Sequence, residues 1–526
     1  MNRNWLLASS SLSLPLALPL VWYMLPQSWR CWCVGIKKLL SLLVLVRLHS
    51  IRCKWWDYSF INDFEANVDA SPQRDLFIEV ETGRHISMQE TEELANQIAH
   101  FLIDHGAVQT KDTVALMMSN RFELVAFWLG VGKVGCSCAL LNTNARGLTL
   151  EHALQVSTAT SKSKLFVIER DLHAQLPSEQ LTALAAAGIT VFVWEDLATS
   201  VLSTMPLHRP PRSLRVGVSE RDVLLYIFTS GTTGLPKASK ISHSRVWVGS
   251  LPLAILCDLR PNERVYTTLP LYHSAGGLLG VSACIRYSGC MVLRKKFSAK
   301  NFAADCQKYH CTVFQYIGEL CRYLCATPAQ PQDNNNQLSL RCAFGNGLRP
   351  EIWEQFQRKY GIKHIVEFFL ATEANVGMFN CFDRVGALGY VPRWADFLYP
   401  VMLVRPDSEN KEVPLRGPIC SSSSGSGSSG GSSSGSGKGF CQLSGVDEPG
   451  LVISAINEKR FDRRFDGYSD EKASQKKVLT DVFRVGDRFF NTGDLMTRDA
   501  DGYFFWSDRA GDTYRWKGEV SVSELL

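Results

Sequence analysis

The chain has 526 residues, is 45% hydrophobic and 20% charged, and carries a net charge of +5. That is core material for three or four average domains, or for one large domain with subdomains. So mild a charge, with no basic-aromatic repeat and no zinc-finger spacing, argues against nucleic acid as a partner. Sixteen scattered cysteines without a Cys-x-x-Cys pair read as free thiols of a reducing cytosol.

Residues 5–25 contain no charge. At 1.5 Å per residue such a stretch spans about 30 Å, the hydrocarbon thickness of a bilayer. Arg3 precedes it, and Arg30, Lys37, Lys38 and Arg47 follow, a bias that puts the bulk of the chain in the cytosol. The segment reads as an uncleaved membrane anchor. A re-entrant or interfacial hairpin, a cleaved signal peptide and a buried helix are the alternatives, with Pro15 and Pro19 as kinks. Leu39–Leu48 is apolar but short and carries Arg47, which suggests an interfacial helix or second membrane contact. Cys31 and Cys33 beside it read as plain thiols, with acylation as the alternative.

Between residues 60 and 210, helical and strand patterns alternate. Apolar residues of Thr91–Asp104 recur at helical spacing, while Val114–Met118, Lys164–Ile168 and Thr190–Trp194 read as buried strands. The alternation predicts layered α/β structure with parallel sheet. Pro206, Pro210 and Pro211 mark a linker.

Residues 226–237 read Tyr-Ile-Phe-Thr-Ser-Gly-Thr-Thr-Gly-Leu-Pro-Lys. Tyr226, Ile227 and Phe228 read as the end of a buried strand. Gly231 and Gly234 let backbone N–H groups approach a polyanion. Thr229, Ser230, Thr232 and Thr233 add hydroxyl donors, and Lys237 adds a point charge. The spacing is not that of a Walker A loop, yet the pattern is a phosphate cradle after a strand. An ordinary Ser/Thr/Gly turn is the alternative.

Further along come Leu269-Pro-Leu-Tyr-His-Ser-Ala-Gly-Gly277, Cys342-Ala-Phe-Gly-Asn-Gly-Leu-Arg-Pro350 and Phe368-Phe-Leu-Ala-Thr-Glu-Ala-Asn375. Phe465-Asp-Gly-Tyr468, Phe490-Asn-Thr-Gly-Asp-Leu495 and Gly511-Asp-Thr-Tyr-Arg-Trp-Lys-Gly-Glu519 follow. A loop lies at Asp333–Gln337, and residues 421–437 are seventeen consecutive Ser or Gly, a flexible coil of roughly 20–25 Å.

These motifs, in this order, resemble the adenylate-forming (AMP-binding) superfamily. They are similar in particular to the fatty acid transport protein branch, also called very-long-chain acyl-CoA synthetases. The resemblance runs from about residue 60 to about residue 520. It implies an α/β fold: the large amino-terminal domain of an adenylate-forming enzyme, with layered α/β subdomains and a small β-barrel-like part. On that reading residues 1–58 are anchor and juxtamembrane segment, 59–508 the AMP-binding domain, and 509–526 the hinge and start of a small carboxyl-terminal domain.

The resemblance also implies roles. Residues Tyr226, Thr229, Ser230, Gly231, Thr232, Thr233 and Gly234 contact nucleotide, and Lys237 neutralises phosphate. His273, with Tyr272, lies near the carboxylate and gates the acyl pocket. Gly276 and Gly277 allow a close approach of acyl chain or backbone. Gly345 and Gly347 flank adenine, and Thr372 lies at the α-phosphate. Glu373, with Thr233, holds Mg²⁺. Asp494 accepts from the ribose hydroxyls, Arg509 reaches ribose or phosphate, and Asp512 is the hinge.

The implied activity converts a long or very long fatty acid to acyl-CoA through an acyl-adenylate. It uses ATP, Mg²⁺ and coenzyme A, at the endoplasmic reticulum or plasma membrane, with a homodimer as the candidate assembly. A membrane-tethered fatty-acid binding or transport protein, or a truncated pseudoenzyme, without ligase turnover is the alternative. It draws on the end of the sequence at Leu526, short of the family's small domain and its lysine, and on Lys517-Gly-Glu-Val-Ser, which lacks an Asn of the family pattern.

Overall fold

The computed structural model describes residues 27–55, 58–106, 108–229, 235–328, 338–417, 439–460 and 463–510, and the strands Thr513–Trp516 and Glu519–Val522. The expected anchor at 5–25, the loop residues Ser230–Gly234, the loop Asp333–Gln337, the Ser/Gly tract and Asp512 lie outside the described residues, as does the side chain of Cys31.

Three sheets form the framework. In chain order the strands are β1 (Asp75–Glu79), β2 (His85–Ser87), β3 (Thr113–Met117), β4 (Ser137–Leu140), β5 (Leu165–Ile168), β6 (Thr190–Val193) and β7 (Val223–Thr229). Next come β8 (Lys237–Ser242), β9 (Arg264–Thr267), β10 (Cys290–Leu293), β11 (Val313–Ile317), β12 (Cys342–Asn346), β13 (His364–Leu370) and β14 (Gly377–Asn380). The last are β15 (Ala387–Tyr390), β16 (Val401–Val404), β17 (Gly450–Ala455), β18 (Val478–Thr480), β19 (Arg488–Arg498) and β20 (Tyr503–Arg509). One sheet has the order β6-β5-β3-β4-β7-β8 and is parallel up to an antiparallel β7–β8 pair. The second, β14-β13-β12-β11-β9-β10-β1-β2, is parallel inside and antiparallel at both ends. The third, β15-β20-β19-β17-β16 with β18 on β19, is antiparallel and takes the place of the small β part.

The inner parallel strands are buried on both faces, so they read as unbroken apolar runs; β3, β4, β5 and β10 are buried at every position. The strand expected as buried at 190–194 is β6, which lies at the sheet edge with Thr190 exposed and the rest half-buried. Four helices matter below: α1 (Gln27–Trp55), α2 (Met88–Asp104), α3 (His243–Leu256) and α4 (Pro350–Tyr360). Helix α2 begins three residues before the expected Thr91. Ser87 and Glu90 form a reciprocal capping box that fixes its start at Met88. Helix α4 starts on Pro350 and ends on left-handed Gly361. Helix α1 contains the expected interfacial stretch 39–48 but is longer on both sides. It lies along α3, where Lys38 donates to the Leu256 carbonyl at 2.8 Å and pairs with Asp258 at 2.7 Å. His49 stacks on Trp247 with ring centres 3.7 Å apart. Among the described residues no helix is long and apolar enough to cross a membrane, and the described cysteines are free.

Candidate functional site

Binding sites in open α/β sheets form beyond the carboxyl ends of the strands. Here Thr229 ends β7, the 346–348 turn ends β12, and Thr372–Glu373 follow β13. Thr229 and Lys237 stand opposite each other in the β7–β8 ladder, so the two strands bring both ends of the expected cradle together. The Thr229 hydroxyl donates to the Lys237 carbonyl at 3.5 Å.

Lys237 is half-buried, and its ammonium lies 5.6 Å from the ring centre of Tyr468. Burial, then the nearby Lys477 and Lys476, pull its pKa below the ordinary lysine value, against Asp470 and Glu373. Like charges gathered at a partly dry spot repel, and an incoming polyanion relieves that cost.

Tyr468 is the hub. Its hydroxyl donates to Glu373 Oε1 at 2.6 Å. Burial and the Glu373 charge push the phenol pKa up, so it stays a neutral donor. A side-chain hydrogen bond also links it to Thr229. The segment carrying it is sewn to β8: Lys240 N donates to Gly467 O at 3.1 Å and Ser469 N to Ala238 O at 2.9 Å. Thr229 and Lys237, from one stretch of chain, and Glu373, from another, therefore meet at a tyrosine from a third. Thr372 Oγ1 lies 3.0 Å from Ser274 Oγ, in a π-helical turn that starts right after His273. His273 packs its ring 4.6 Å from Tyr272. It is backbone that fills the space at Gly276 and Gly277: a Cβ there would lie 2.6 Å from Pro270 O and 2.0 Å from Leu271 O.

The other sequence-derived positions spread around this centre. Gly345 is needed by its neighbour, since a Cβ would meet the Tyr316 carbonyl at 2.2 Å and its ring at 2.6 Å. Gly347 is exposed at φ +78°, a turn that favours glycine. Behind the turn, buried Glu367 accepts from Leu348 N at 3.0 Å and from the Tyr316 hydroxyl. Burial outweighs these donors and pushes its carboxyl up to about 8. Asp494 faces Arg509 across β19–β20, with Oδ1 3.6 Å from Nε, and its N–H donates to Thr492 Oγ1 at 3.1 Å. Lys477 Nζ, one of the charges acting on Lys237, donates to Thr492 O at 3.1 Å. The third sheet thus borders the centre through that lysine. Tyr226 sits three residues back in β7, hydrogen-bonded toward Thr113, and is not part of the Tyr468 group.

A cavity of about 240 Å³ opens beside Thr372. Its polar end holds Thr372, Arg245, Ser242 and Asp466, and its wall continues through Leu278, Met378 and Phe379 to Leu39, Leu42 and Val46 of α1. Arg245 is tied to the Ala374 carbonyl, and burial lowers its pKa, opposed by Asp466 and Glu373. Sequence reading missed Tyr468 as a site residue, as well as Ser274 and Arg245. Only the Asp-Gly-Tyr motif carried a signal, and that signal marked the family rather than a role.

The model of the AMP-binding enzyme family matches residues 64–421. The chain is 37% identical over 499 residues to long-chain fatty acid transport protein 1 of Bos taurus, covering 92% of this chain and 72% of that one. It is 35% identical over 494 residues to long-chain fatty acid transport protein 6 of Homo sapiens, covering 92% and 74%. Among solved structures, the inhibitor-bound N-terminal domain of FACL13 from Mycobacterium tuberculosis superposes with a TM-score of 0.66 at 18% identity, over 86% of this chain and all of that one. ATP-bound MatB from Rhodopseudomonas palustris superposes with a TM-score of 0.68 at 18% identity, over 89% and 82%. At such identities the superpositions speak for the fold alone, which is that of the large domain of adenylate-forming enzymes. Family model, relatives and fold agree: the chain belongs to the AMP-binding enzyme family, in the branch of the long-chain fatty acid transport proteins.

Proposed function

We propose that the chain activates long or very long fatty acids with ATP, through an acyl-adenylate, to acyl-CoA. One observation carries this reading: Thr372, in the wall of the apolar cavity that runs to α1, is followed directly by Glu373, which Tyr468 joins to Lys237. A carboxylate at the cavity's polar end, beside half-buried Arg245, would present its oxygen to the α-phosphorus of ATP held at Lys237 and the Thr229 end of the cradle. The oxygen–phosphorus bond forms as pyrophosphate leaves; the coenzyme A thiolate then displaces AMP from the acyl carbon. The protein's task is position and charge, with little covalent work.

Among the described residues no cluster of three His, Cys, Asp or Glu could hold a metal alone. Glu373 beside a polyanion site is nevertheless the kind of donor Mg²⁺ takes, one carboxylate with phosphate oxygens and water completing the shell. Glu373, with Thr233, would hold it, and it would neutralise phosphate charge. Gly345 and Gly347 would border adenine, and Asp494 with Arg509 the ribose. Each methylene buried in the cavity contributes about 0.8 kcal/mol, which favours long acids. The uncharged segment 5–25 supports a membrane location, at the endoplasmic reticulum or plasma membrane with the catalytic part cytosolic. There activation traps imported acid as its thioester.

The test is pyrophosphate release by the full chain with palmitate, ATP, Mg²⁺ and coenzyme A. Lys237→Ala should weaken Mg·ATP binding about tenfold or more, the size expected for a lost charge contact of 1.5–3 kcal/mol. Acid-independent release, or unchanged ATP affinity in the variant, counts against the reading. ATP binding without turnover leaves fatty-acid binding as the function.

A further inference from the structure

We propose that the outer face of α1 and the 394–398 turn form one docking surface for an anionic lipid bilayer, and that the acyl chain enters the cavity sideways between them. The entry route rests on the cavity being the acyl site; the docking surface does not.

Helix α1 has two unlike faces. Gly35, Leu42 and His49 are buried against the body of the protein, and Leu39, Leu45 and Val46 are partly so. Opposite them, Val34, Leu40, Val44, Leu48, Ile51 and Trp55 are exposed, Leu48 at 57% and Trp55 at 75%. Their spacing of three to six residues keeps them on one stripe, six large apolar side chains turned to solvent. Lys37, Arg47 and Arg52 are exposed along the same side. The whole helix carries six Lys or Arg and no Asp or Glu.

The stripe continues onto a second element. Leu40 lines the cavity together with Trp394 and Leu398. Trp394 is 59% exposed, and its neighbour Phe397 77%. The rim of the cavity thus carries exposed leucine and tryptophan, with exposed Phe397 beside it. Large apolar and aromatic side chains at the level of a basic helix are what an interfacial membrane contact requires. Basic residues near an anionic surface add electrostatic attraction to the apolar contact. A second copy of this chain fits less well, because a twofold contact would set two acid-free basic helices against each other. A long-chain acid, moreover, is dissolved in membrane, and a cavity that opens through a membrane-facing rim spares the chain a passage through water.

The test places a fluorescent amino acid at position 44, 394 or 485 of the full chain. The protein is mixed with phosphatidylcholine vesicles, with and without phosphatidylserine, that carry a nitroxide quencher in the acyl region. The expected result is strong quenching at 44 and 394, greater with phosphatidylserine, and none at 485, an exposed site elsewhere. Vesicle-bound protein with unquenched 44 and 394 overturns the docking surface, since segment 5–25 then acts as a tether alone. Shielding of position 44 without vesicles, rising with protein concentration, identifies a second copy as the occupant and also overturns it.

For the entry route, Val44→Asp with Leu48→Asp should lower kcat/KM for vesicle-dissolved palmitate about tenfold and leave water-soluble octanoate unchanged. Neither residue lines the acyl cavity. Equal losses for both acids overturn sideways entry. If the unsubstituted chain turns over neither acid, the ligase reading fails and takes the entry route with it, while the quenching result still decides the docking surface.

Discussion

At the scale of single residues, the centre depends on one neutral phenol between a cation and a carboxylate. Tyr468 offers its ring to Lys237 and its hydroxyl to Glu373. Tyr468→Phe keeps the first contact and removes the second, and the two are separable because the ring stays packed. A hydrogen bond to a charged group contributes about 1.5–3 kcal/mol. Mg·ATP should therefore bind about tenfold more weakly, while the melting temperature moves little. Calorimetric titration of the variant measures this; an unchanged dissociation constant would mean that Glu373 needs no orienting partner. The prediction could not have come from the sequence. Tyr468 lies 95 residues from Glu373 along the chain, and nothing in a linear motif says which carboxylate a distant tyrosine will meet.

At the scale of elements, β12 and β13 are tied by the Glu367 carboxyl, which reaches under the 346–348 turn from the neighbouring strand. Its pKa in the fold, about 8, lies above the ordinary 4.5 because burial penalises the charge. A group whose folded pKa is raised contributes fully below its unfolded value and loses that contribution as pH rises through the folded one. Stability should accordingly fall between about pH 4.5 and pH 8, by at most about 5 kcal/mol at 1.36 kcal/mol per unit. Glu367→Gln cannot ionise and should flatten the profile across that window. Urea midpoints at stepped pH measure it, and parallel curves for the two proteins would refute the assignment.

The strand and turn chemistry here was legible in the sequence to different degrees. The α/β alternation and the buried strand that ends at Thr229 were readable because both are contiguous patterns. Strands expected at 114–118, 164–168 and 190–194 appear within a residue or so. The start of α2 was misplaced because apolar spacing was followed while the Ser87–Glu90 cap was not. Ser274 and Arg245 were out of reach, since only the packing of α3 and the π-helical turn against β13 brings them to the site. For α1, an apolar run with interspersed charge signals an amphipathic helix whether its inner face meets protein or lipid. That the inner face closes a cavity is tertiary information.

At the scale of the whole molecule, α1 and the helix Phe60–Ala70 are fastened to α3 through two buried imidazoles. His243 accepts from Phe60 N at 3.1 Å through Nδ1, and burial pulls its pKa down to about 4. His49 stacks on Trp247, and burial, with Arg286 and Arg52, pulls it down to about 3. Around His243, Asp222 favours the proton and Arg215 opposes it, and burial prevails. Both groups have folded pKa values below the unfolded 6.5. The unfolded chain therefore takes up protons first as pH falls, and stability present above about pH 6.5 is lost on the way down to pH 4 and then 3. His243 alone, with a shift of about 2.5 units, contributes a loss of about 3 kcal/mol. Acid should loosen the amino-terminal helices from α3 before it disturbs the sheets, because both imidazoles sit at that seam. Hydrogen exchange at stepped pH should show residues 33–70 and 243–256 losing protection between about pH 6 and pH 4, ahead of β3–β5. His49→Phe retains a ring for Trp247 and cannot take a proton, so it should shift the onset of loosening to lower pH. Simultaneous loss of protection in the sheets, or an onset unmoved by the substitution, would show that these imidazoles do not set the acid limit of the fold.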